Sequence, residues 1–333
     1  MTAPSIVAVV TEDLFSEFFS AADSSRLEEM SEWLGGSFLR VDHLDDAAEL
    51  AAVRVLITSW GVGAIDATRL DRMPRLQLIA HTGATIKPFV TGEVFDRGIL
   101  VTQAGAGMAR PVAEVSLTFT LALLHRIPSM HEHVRHGGWY DSVTAGVQHE
   151  ILGAPIAVIG ASRTGRAYLA MIRALGAQPL LVDPTLDESE VAELDAELLP
   201  LDVALQRALI VAVHAPSLPE TRHLIGRREL ALMPDGAGLV NTARSWLVDQ
   251  EALRDELRSG RITAAMDVFD DEPLASDSEF RSLPGVLLTP HRAAGSAEGR
   301  LRLGRITTRE IEAFATGGRL EHAICRAQLS LMA

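Results

Sequence analysis

Three short segments carry side chains that could act together on a small carboxylic acid. Arg244 has a planar guanidinium that can hold a carboxylate through two parallel hydrogen bonds. His291 can give a proton to a carbonyl oxygen and take it back, while Glu272 can fix the imidazole tautomer and stabilise the imidazolium. This set suits interconversion of a 2-keto acid and a 2-hydroxy acid. The segments are LVNTARSWLVDQEAL (239–253), AAMDVFDDEPL (264–274) and LLTPHRAAGS (287–296).

A glycine-containing turn between a predicted strand and helix indicates the cofactor. Gly160 permits a tight turn, and Gly165 lets the helix pack closely against the sheet. The helix beginning near Thr164 would direct free N–H groups at a pyrophosphate. Ser162 replaces the usual middle glycine, so its Cβ would crowd the phosphate while its hydroxyl could donate a hydrogen bond. The segment is APIAVIGASRTGRAYLAMIRALGAQPLLVDP (154–184).

Asp183, at the end of the next predicted strand, indicates which dinucleotide fits. Its carboxylate can accept hydrogen bonds from both ribose hydroxyls. A 2′-phosphate would meet this negative charge, and residues 184–187 (PTLD) contain no arginine to neutralise it. The sequence therefore predicts NAD rather than NADP as cofactor.

Strand-length aliphatic runs alternate with helical patterns along the chain. Continuous apolar runs indicate strands buried on both faces, as in a parallel sheet, and their alternation with helices predicts right-handed βαβ units. The second half is predicted to form a six-stranded doubly wound sheet. The predicted strands are 6–10, 53–58, 76–80 and 99–102, followed by 156–159, 179–182, 209–213, 237–241, 263–267 and 286–289.

The fold class predicted is α/β, with two Rossmann-like doubly wound parallel-sheet domains. The long helical pattern at 297–316 could return the chain to the first domain. The predicted domains are therefore a discontinuous, flavodoxin-like substrate domain (1–104 and 295–333) and an NAD-binding domain (105–294).

Together with VAVHAPSLPETRHLI (211–225), these motifs resemble the D-isomer-specific 2-hydroxyacid dehydrogenases, over nearly the whole chain. That family includes phosphoglycerate dehydrogenase and glyoxylate/hydroxypyruvate reductase. The resemblance implies that Arg244, Glu272 and His291 are catalytic. It also implies that Asp267 contacts the carboxamide, that Thr242 and Ala243 line the nicotinamide side, and that His214 and Pro216 line the cofactor cleft. The full predicted cofactor set is Gly160, Ser162, Arg163, Thr164, Gly165, Asp183, His214, Pro216, Thr221, Thr242, Ala243 and Asp267.

The loop HTGATIKPF (81–89) departs from the family pattern G-x-G-x-D, whose backbone N–H groups help clamp the substrate carboxylate. Lys87, the only lysine in the chain, stands where that pattern has its aspartate. It either favours substrates with a second anionic group or is a solvated loop cation at the start of a helix. A second departure is Met108, at the family's usual asparagine. The predicted substrate-binding residues are Thr82, Gly83, Ala84, Lys87 and Met108.

Composition excludes several classes of protein. A net charge of −14 argues against a phosphate-backbone binder, so no nucleic-acid partner is expected. No apolar run is long enough to span a bilayer and no signal peptide is visible, so no membrane partner is expected. The single cysteine, Cys325, fits a reducing compartment, and a cytoplasmic location is predicted. No metal is predicted, although His131, His133 and His136 have helical spacing.

The oligomeric state and the reaction are also expectations at this point. In the family, the helix corresponding to residues 115–124 contributes to a dimer interface, so a homodimer is expected. Trp139 and Tyr140 could belong to an arm that packs on the partner. The predicted activity is NAD-dependent interconversion of a small 2-keto acid and its D-2-hydroxy acid, with the chain acting as a 2-keto acid reductase. The alternatives are a NAD(H)-sensing protein like the family's co-repressor branch, or a dehydrogenase of another small anion, as in formate and phosphite dehydrogenases.

Overall fold

The computed structural model of the chain describes residues 3–139 and 146–329. Tyr140, predicted to be part of an arm, lies outside these residues. The strands, in chain order, are β1 (Pro4–Val9), β2 (Ser37–Val41), β3 (Val55–Thr58), β4 (Leu78–His81), β5 (Leu100–Gln103), β6 (Pro155–Ile159), β7 (Gln178–Val182), β8 (Glu197–Leu198), β9 (Ile210–Val213), β10 (Gly238–Asn241), β11 (Thr263–Met266) and β12 (Val286–Leu288).

The described residues form thirteen α-helices. Several are capped by residues whose type is typical of a helix start, such as Ser20, Asp66 and Ser162. The helices are α1 (Glu12–Phe18), α2 (Ala21–Trp33), α3 (Ala67–Asp71), α4 (Gly92–Asp96), α5 (Ala109–Leu124), α6 (Ile127–Arg135), α7 (Arg163–Ala174), α8 (Glu188–Leu194), α9 (Leu201–Arg207), α10 (Arg227–Leu232), α11 (Gln250–Ser259), α12 (Ala297–Thr316) and α13 (Arg326–Leu329).

The chain divides into two compact units. The first contains the residues up to 108 and those from 295 onward, and the second contains residues 109–294. The division after residue 108 follows a short 3₁₀ helix, Gly105–Met108, which the sequence prediction had assigned to the second domain.

Within the described residues, the first unit has a five-stranded sheet in the order β2-β1-β3-β4-β5. All its strand pairs are parallel. This is the flavodoxin-like order, as predicted. Helix α12 packs against α1 and α2, so the C-terminal segment completes the unit begun by the N-terminal one. Apolar cores lie on both faces of the sheet, which explains the unbroken aliphatic sequence of β1.

In the second unit, the described residues form a seven-stranded parallel sheet in the order β12-β11-β10-β9-β6-β7-β8. Counted from β6, this is the doubly wound order 3-2-1-4-5-6 with one further edge strand, and apolar cores cover both faces. The α/β class with two Rossmann-like units is therefore confirmed, but the predicted count of six strands in this unit was wrong. The missed strand, β8, has only two residues, both exposed, so it carries no apolar run.

A strand was also missed in the first unit. Strand β2 (SFLRV) mixes polar and apolar residues, and all five are half-buried because the strand lies at the sheet edge. Among residues 3–139 and 146–329, no helix has both the length and the apolar character needed to cross a bilayer.

Candidate active site

The carboxyl end of the second sheet brings Glu272 and His291 into contact. Nδ1 of His291 lies 2.6 Å from Oε2 of Glu272, so with Glu272 ionised the imidazole donates this hydrogen bond. The other carboxylate oxygen, Oε1, accepts the backbone N–H of Phe269 at 2.9 Å. Both oxygens are thus occupied, which fixes the carboxylate and in turn the ring. Nε2 of His291 is the nitrogen left to act on a substrate, and 47% of the side chain is exposed.

The loop carrying His291 is tied to Asp267. Oδ1 of Asp267 accepts hydrogen bonds from the Thr289 hydroxyl at 2.5 Å and from the Arg292 N–H at 2.9 Å, and Oδ2 accepts the Ala293 N–H at 2.9 Å. These donors flank His291 on both sides. The Asp267 side chain is almost completely buried. Asp267 therefore holds the loop that positions the His291 imidazole. Its contact with a carboxamide stays a prediction.

His291 itself has φ = 51°, in the left-handed region that non-glycine residues enter uncommonly. Its backbone N–H donates to the Thr289 carbonyl at 3.1 Å. Such conformations persist where the surroundings over-determine them, as the bonds to Asp267 do here, and they concentrate at functional sites.

Arg244 follows β10 on a turn built by Asn241. The Asn241 side chain is fully buried; its Oδ1 accepts the Ala243 N–H at 3.1 Å and its Nδ2 donates to the Arg244 carbonyl at 3.0 Å. Nη1 of Arg244 donates to the Ala243 carbonyl at 2.7 Å. Burial lowers the pKa of the guanidinium, and the nearby Glu272 carboxylate opposes that shift. The sequence prediction missed Asn241, although a polar residue closing an apolar strand was a visible signal.

The glycine turn after β6 is a tightly packed backbone cradle. Gly160 has φ = 102°, and a Cβ there would lie 2.6 Å from the backbone of Ala215. A Cβ on Gly165 would lie 2.1 Å from the carbonyl oxygen of Gly160. Both positions therefore exclude a side chain, as the tight turn and the close helix packing of a dinucleotide-binding turn require. These residues fit a dinucleotide.

Ser162 is the N-cap of α7. Its hydroxyl accepts the Gly165 N–H at 3.2 Å and so caps the start of the helix. Helix α7 begins at Arg163, one residue earlier than predicted. Arg163 is exposed, and Thr164, the second helical residue, is half-buried. Their backbone N–H groups lie in the first turn, where a helix offers unpaired donors.

Asp183 follows β7 and contacts the glycine turn. Its Oδ2 accepts the Ala161 N–H at 2.8 Å, and its Oδ1 accepts the Thr185 N–H at 2.9 Å and the Thr185 hydroxyl at 2.6 Å. Partial burial raises the pKa of Asp183, but these hydrogen bonds outweigh burial and hold the pKa below its usual value. The carboxylate is therefore ionised and fixed beside the turn.

The segment after β9 borders the same turn with its backbone. The His214–Ala215 peptide lies against Gly160, while the His214 ring is buried beneath and packs on Tyr168 with centroids 4.9 Å apart. Pro216 is exposed, and its carbonyl accepts the Thr221 hydroxyl at 2.7 Å, which shapes the loop. The ring of His214 therefore packs inside the unit, and the backbone of this segment is the part that faces the turn.

Thr242, predicted on the nicotinamide side, is buried. Its hydroxyl shares a 2.7 Å hydrogen bond with the hydroxyl of Ser116 on α5. Sequence reasoning did not find Ser116, because nothing local links it to a residue 126 positions away.

Replacing Gly165 with alanine should weaken dinucleotide binding about tenfold or more, because the new Cβ overlaps the Gly160 carbonyl and the turn must shift. Calorimetric titration with NADH measures the effect. Gly318→Ala is the matched control, since its nearest neighbour would lie at an ordinary 3.4 Å. Equal NADH affinity in Gly165→Ala and wild type would contradict the assignment of the turn.

The predicted substrate loop of the first unit follows β4. The N–H and the hydroxyl of Thr82 both donate to the Thr58 carbonyl, at 2.9 and 3.2 Å. A Cβ on Gly83 would lie 2.7 Å from Nε2 of His81 and 3.2 Å from the Trp60 ring. A Cβ on Gly105 would lie 2.6 Å from the Cβ of Ala84, so Ala84 packs closely on that glycine. The structure therefore brings Thr82, Gly83 and Ala84 together in one tightly packed turn.

Lys87 and Met108 lie apart from that turn's hydrogen bonds. Lys87 is exposed in a turn closed by hydrogen bonds from Phe89 and Val90 to the Ile86 carbonyl. The next α-helix, α4, begins only at Gly92, so the placement of Lys87 at a helix start was wrong. The Met108 side chain packs against the apolar core of the first unit.

Two buried histidines are neutral in the folded chain. Burial lowers the pKa of His81 to about 3, against one opposing hydrogen bond at Thr58, and burial alone lowers that of His214 to about 3. In the unfolded chain each ring is solvated, and its pKa returns to the ordinary histidine value of 6.5. The unfolded state therefore binds more protons as the pH falls below 6.5, and both rings reduce stability in that direction.

Replacing His81 with glutamine should make the first unit less sensitive to acid. The wild-type ring should cost about 2 kcal/mol of unfolding free energy at pH 5 relative to pH 7.5, and the variant should not show that loss. Urea midpoints followed by fluorescence at both pH values give the comparison, and the other titrating groups cancel between the variants. An equal acid-induced loss in both proteins would show that His81 is not buried and neutral.

A cavity of about 570 Å³ adjoins the Glu272–His291 pair, and the pair forms part of its wall. The other lining residues are mainly apolar. They are Phe269, Pro273, Leu274, Arg281, Leu288, Thr289 and Pro290.

For metal binding, the part of the chain that the structure describes holds no group of three or more His, Cys, Asp or Glu side chains suitably arranged. His133 contacts the Trp139 carbonyl and His136 contacts Glu132, so these two histidines of α6 and its end have separate partners.

Comparison with known proteins agrees with the fold. Residues 117–293 match the family described as "D-isomer specific 2-hydroxyacid dehydrogenase, NAD binding domain". The chain is 36% identical over 241 residues to D-3-phosphoglycerate dehydrogenase of Mycobacterium bovis, covering 72% of this chain and 45% of that protein. It is 32% identical over 282 residues to glyoxylate reductase of Aeropyrum pernix, covering 82% of each.

A solved structure of D-lactate dehydrogenase from Aquifex aeolicus shares the fold, with a TM-score of 0.74 and 24% identity over 94% of this chain and 95% of that one. The two parallel-sheet units and the glycine turn after β6 are typical of the doubly wound dinucleotide-binding class. The chain belongs to the D-isomer specific 2-hydroxyacid dehydrogenase family, and its second unit is the NAD binding domain of that family. It spans about half the length of the phosphoglycerate dehydrogenases that it matches.

Proposed function

We propose that the chain is an NAD-dependent 2-hydroxyacid dehydrogenase that interconverts a small 2-keto acid and its D-2-hydroxy acid. The observation that carries the proposal is the 2.6 Å bond between Glu272 and His291, on a loop fixed by Asp267, in the unit that contains the dinucleotide turn. Thr82, Gly83 and Ala84 are proposed to bind the substrate.

In this proposal, Arg244 holds the substrate carboxylate through its planar fork and polarises the keto oxygen. Bound NADH supplies the hydride that reduces the keto carbon. Nε2 of His291 gives its proton to the keto oxygen, and the hydroxyl group of the product results. Glu272 stabilises the ring through Nδ1 in either protonation state, and in the oxidation direction Nε2 takes the proton back.

The cofactor assignment is supported by the cradle at Gly160 and Gly165 and by the ionised Asp183. A neutral ribose edge can donate to this carboxylate, whereas a 2′-phosphate meets its charge, so we propose NAD over NADP. Better binding of NADPH than of NADH would contradict this preference.

We also propose that the enzyme is a cytoplasmic homodimer. Exposed apolar side chains on and just after α6 support a partner-binding surface, with Ile127, Val134 and Trp139 exposed by 49%, 51% and 76%. Helix α5, which was expected to contribute, packs within its own unit against α7 and the sheet. Sedimentation of the purified chain at several concentrations tests the dimer.

The proposed activity is tested by following NADH absorbance with glyoxylate, hydroxypyruvate and pyruvate as substrates. Turnover of at least one of these, with formation of the corresponding hydroxy acid, is the expected result. NADH binding without turnover of any keto acid would instead indicate a dinucleotide sensor. Oxidation of formate or phosphite with NAD⁺ in place of keto-acid reduction would identify the substrate as another small anion.

A further inference from the structure

We propose that Glu190 is a second determinant of cofactor selectivity, acting by neutralising Arg166 beside the ribose-binding carboxylate of Asp183. The inference rests on the proposed dinucleotide site and deepens it. Asp183 alone is the residue that sequence patterns associate with NAD. The structure assigns the selectivity to a charge cluster of one guanidinium and two carboxylates.

Arg166 lies in the first turn of α7, directly after Gly165. Its Nε donates to the Ala161 carbonyl at 3.0 Å, while the N–H of the same Ala161 donates to Asp183 at 2.8 Å. The Arg166 guanidinium therefore binds the carbonyl of Ala161, while the Asp183 carboxylate binds the N–H of the same residue. Arg166 is close enough to lower the pKa of Asp183, after the hydrogen bonds of that carboxylate.

Glu190 lies on α8, the helix that follows Asp183. Its Oε1 accepts Nη2 of Arg166 at 2.8 Å, and its Oε2 accepts the Asp187 N–H at 3.3 Å. Asp187 in turn accepts the Glu190 N–H at 2.9 Å, which completes a capping box. The carboxylate is thus fixed at a helix N-terminus, where negative charge is favoured, and it holds Arg166 on the side of α8.

The consequence for ligands follows from charge. Arg166 is a cation beside the turn that could pair with a 2′-phosphate, a group that arginine binds through two parallel hydrogen bonds. With Glu190 in place, that guanidinium is already paired, and Asp183 adds a second negative charge. An adenosine ribose with free hydroxyls needs no cation there. The cluster therefore disfavours NADP twice, by removing an available cation and by repelling the phosphate.

Glu190→Gln separates these two effects. Glutamine has the same size and can keep the capping-box contact, but it no longer pairs with Arg166 as an anion. We expect the variant to bind NADP⁺ about tenfold more tightly relative to NAD⁺ than wild type does, the scale of one charge-assisted hydrogen bond. Calorimetric titration of each purified protein with NAD⁺ and with NADP⁺ gives the ratio of the two Kd values without any turnover.

Two further variants show whether Arg166 carries the change. Glu190→Gln combined with Arg166→Met should return the ratio to the wild-type value, because methionine keeps much of the buried stem and removes the cation. Glu190→Gln combined with Asp183→Ser should favour NADP⁺ further than either single change. Arg163, exposed on the same turn, is kept in every variant, so its contribution cancels.

Glu279→Gln is the matched control. Glu279 pairs with Arg258 at 2.7 Å, at the end of the sheet opposite to β7. The exposed fraction of its side chain is 38%, against 40% for Glu190. Glu279→Gln removes the same net charge as Glu190→Gln. The ratio of the Kd values for NAD⁺ and NADP⁺ should nevertheless stay at the wild-type value.

A ratio in Glu190→Gln within twofold of wild type would overturn the inference, as would a gain that persists without Arg166 or that Glu279→Gln reproduces. These results leave the proposed enzyme intact if wild type binds NAD⁺ and reduces a keto acid. Failure of wild type to bind either dinucleotide would instead overturn the proposed function, and this inference with it.

Discussion

Replacing His291 with alanine is expected to lower the rate of keto-acid reduction by about 10²–10⁴-fold, the usual contribution of a general acid. The variant keeps Arg244 and the dinucleotide turn, so substrate and NADH should still bind. What it removes is the proton donor at Nε2. The rate constant kcat should therefore carry most of the loss, and the Kd for NADH should change little.

The structure indicates that His291→Ala should leave the hydrogen bonds of the surrounding loop in place. The loop is held from both sides by Asp267, through Thr289, Arg292 and Ala293, and none of these bonds uses the His291 side chain. Glu272 keeps its bond to the Phe269 N–H. The change in rate should therefore report the lost imidazole, with the fold confirmed by circular dichroism.

His223→Ala provides a matched control. His223 is a partly exposed histidine of the same unit with φ = 49°, close to the 51° of His291, and its side chain has an exposed fraction of 44%. The control removes an imidazole from a similar backbone conformation away from the proposed chemistry, and full activity is expected. Wild-type kcat in His291→Ala would show that another group supplies the proton.

Most of the fold follows from local patterns in the sequence. The buried strands are continuous aliphatic runs, and residues such as Gly160 and Ser162 mark the turn and the helix start by their type alone. Strand β2 escaped because an edge strand needs no apolar run, and β8 escaped because two residues carry no periodicity. Both depend on pairing with a neighbouring strand, which local sequence does not encode.

The candidate site shows the same difference between features set by local sequence and features that depend on distant contacts. The residues proposed to touch ligands could be predicted because chemistry limits their types, as for Arg244 and His291. Thr289 and Ser116 were missed, since their bonds to Asp267 and Thr242 join distant parts of the chain through ordinary hydroxyls. Asp267 was predicted for a contact with the cofactor, and its bonds in the folded chain are to the loop that carries His291.

Replacing Arg244 with lysine is expected to lower kcat/KM for a keto acid by about 10²-fold, although the positive charge is kept. An ammonium cannot make two parallel hydrogen bonds to a carboxylate, so at least one charge-assisted bond is lost. Burial strengthens the effect, because the desolvated guanidinium, whose pKa burial lowers, interacts with an anion across little water. The loss should appear in KM as well as in kcat, unlike that of His291→Ala.

The turn that presents Arg244 also makes this test specific. The bonds from Asn241 go to the backbone of residues 243 and 244, so the turn should survive a change of side chain. Arg227→Lys is the control, since Arg227 is an exposed residue of the same unit paired with Asp255 at 2.7 Å. Its activity should be unchanged. Steady-state kinetics with varied keto acid at saturating NADH gives both constants, and an Arg244→Lys enzyme with wild-type kcat/KM would place the carboxylate anchor on another residue.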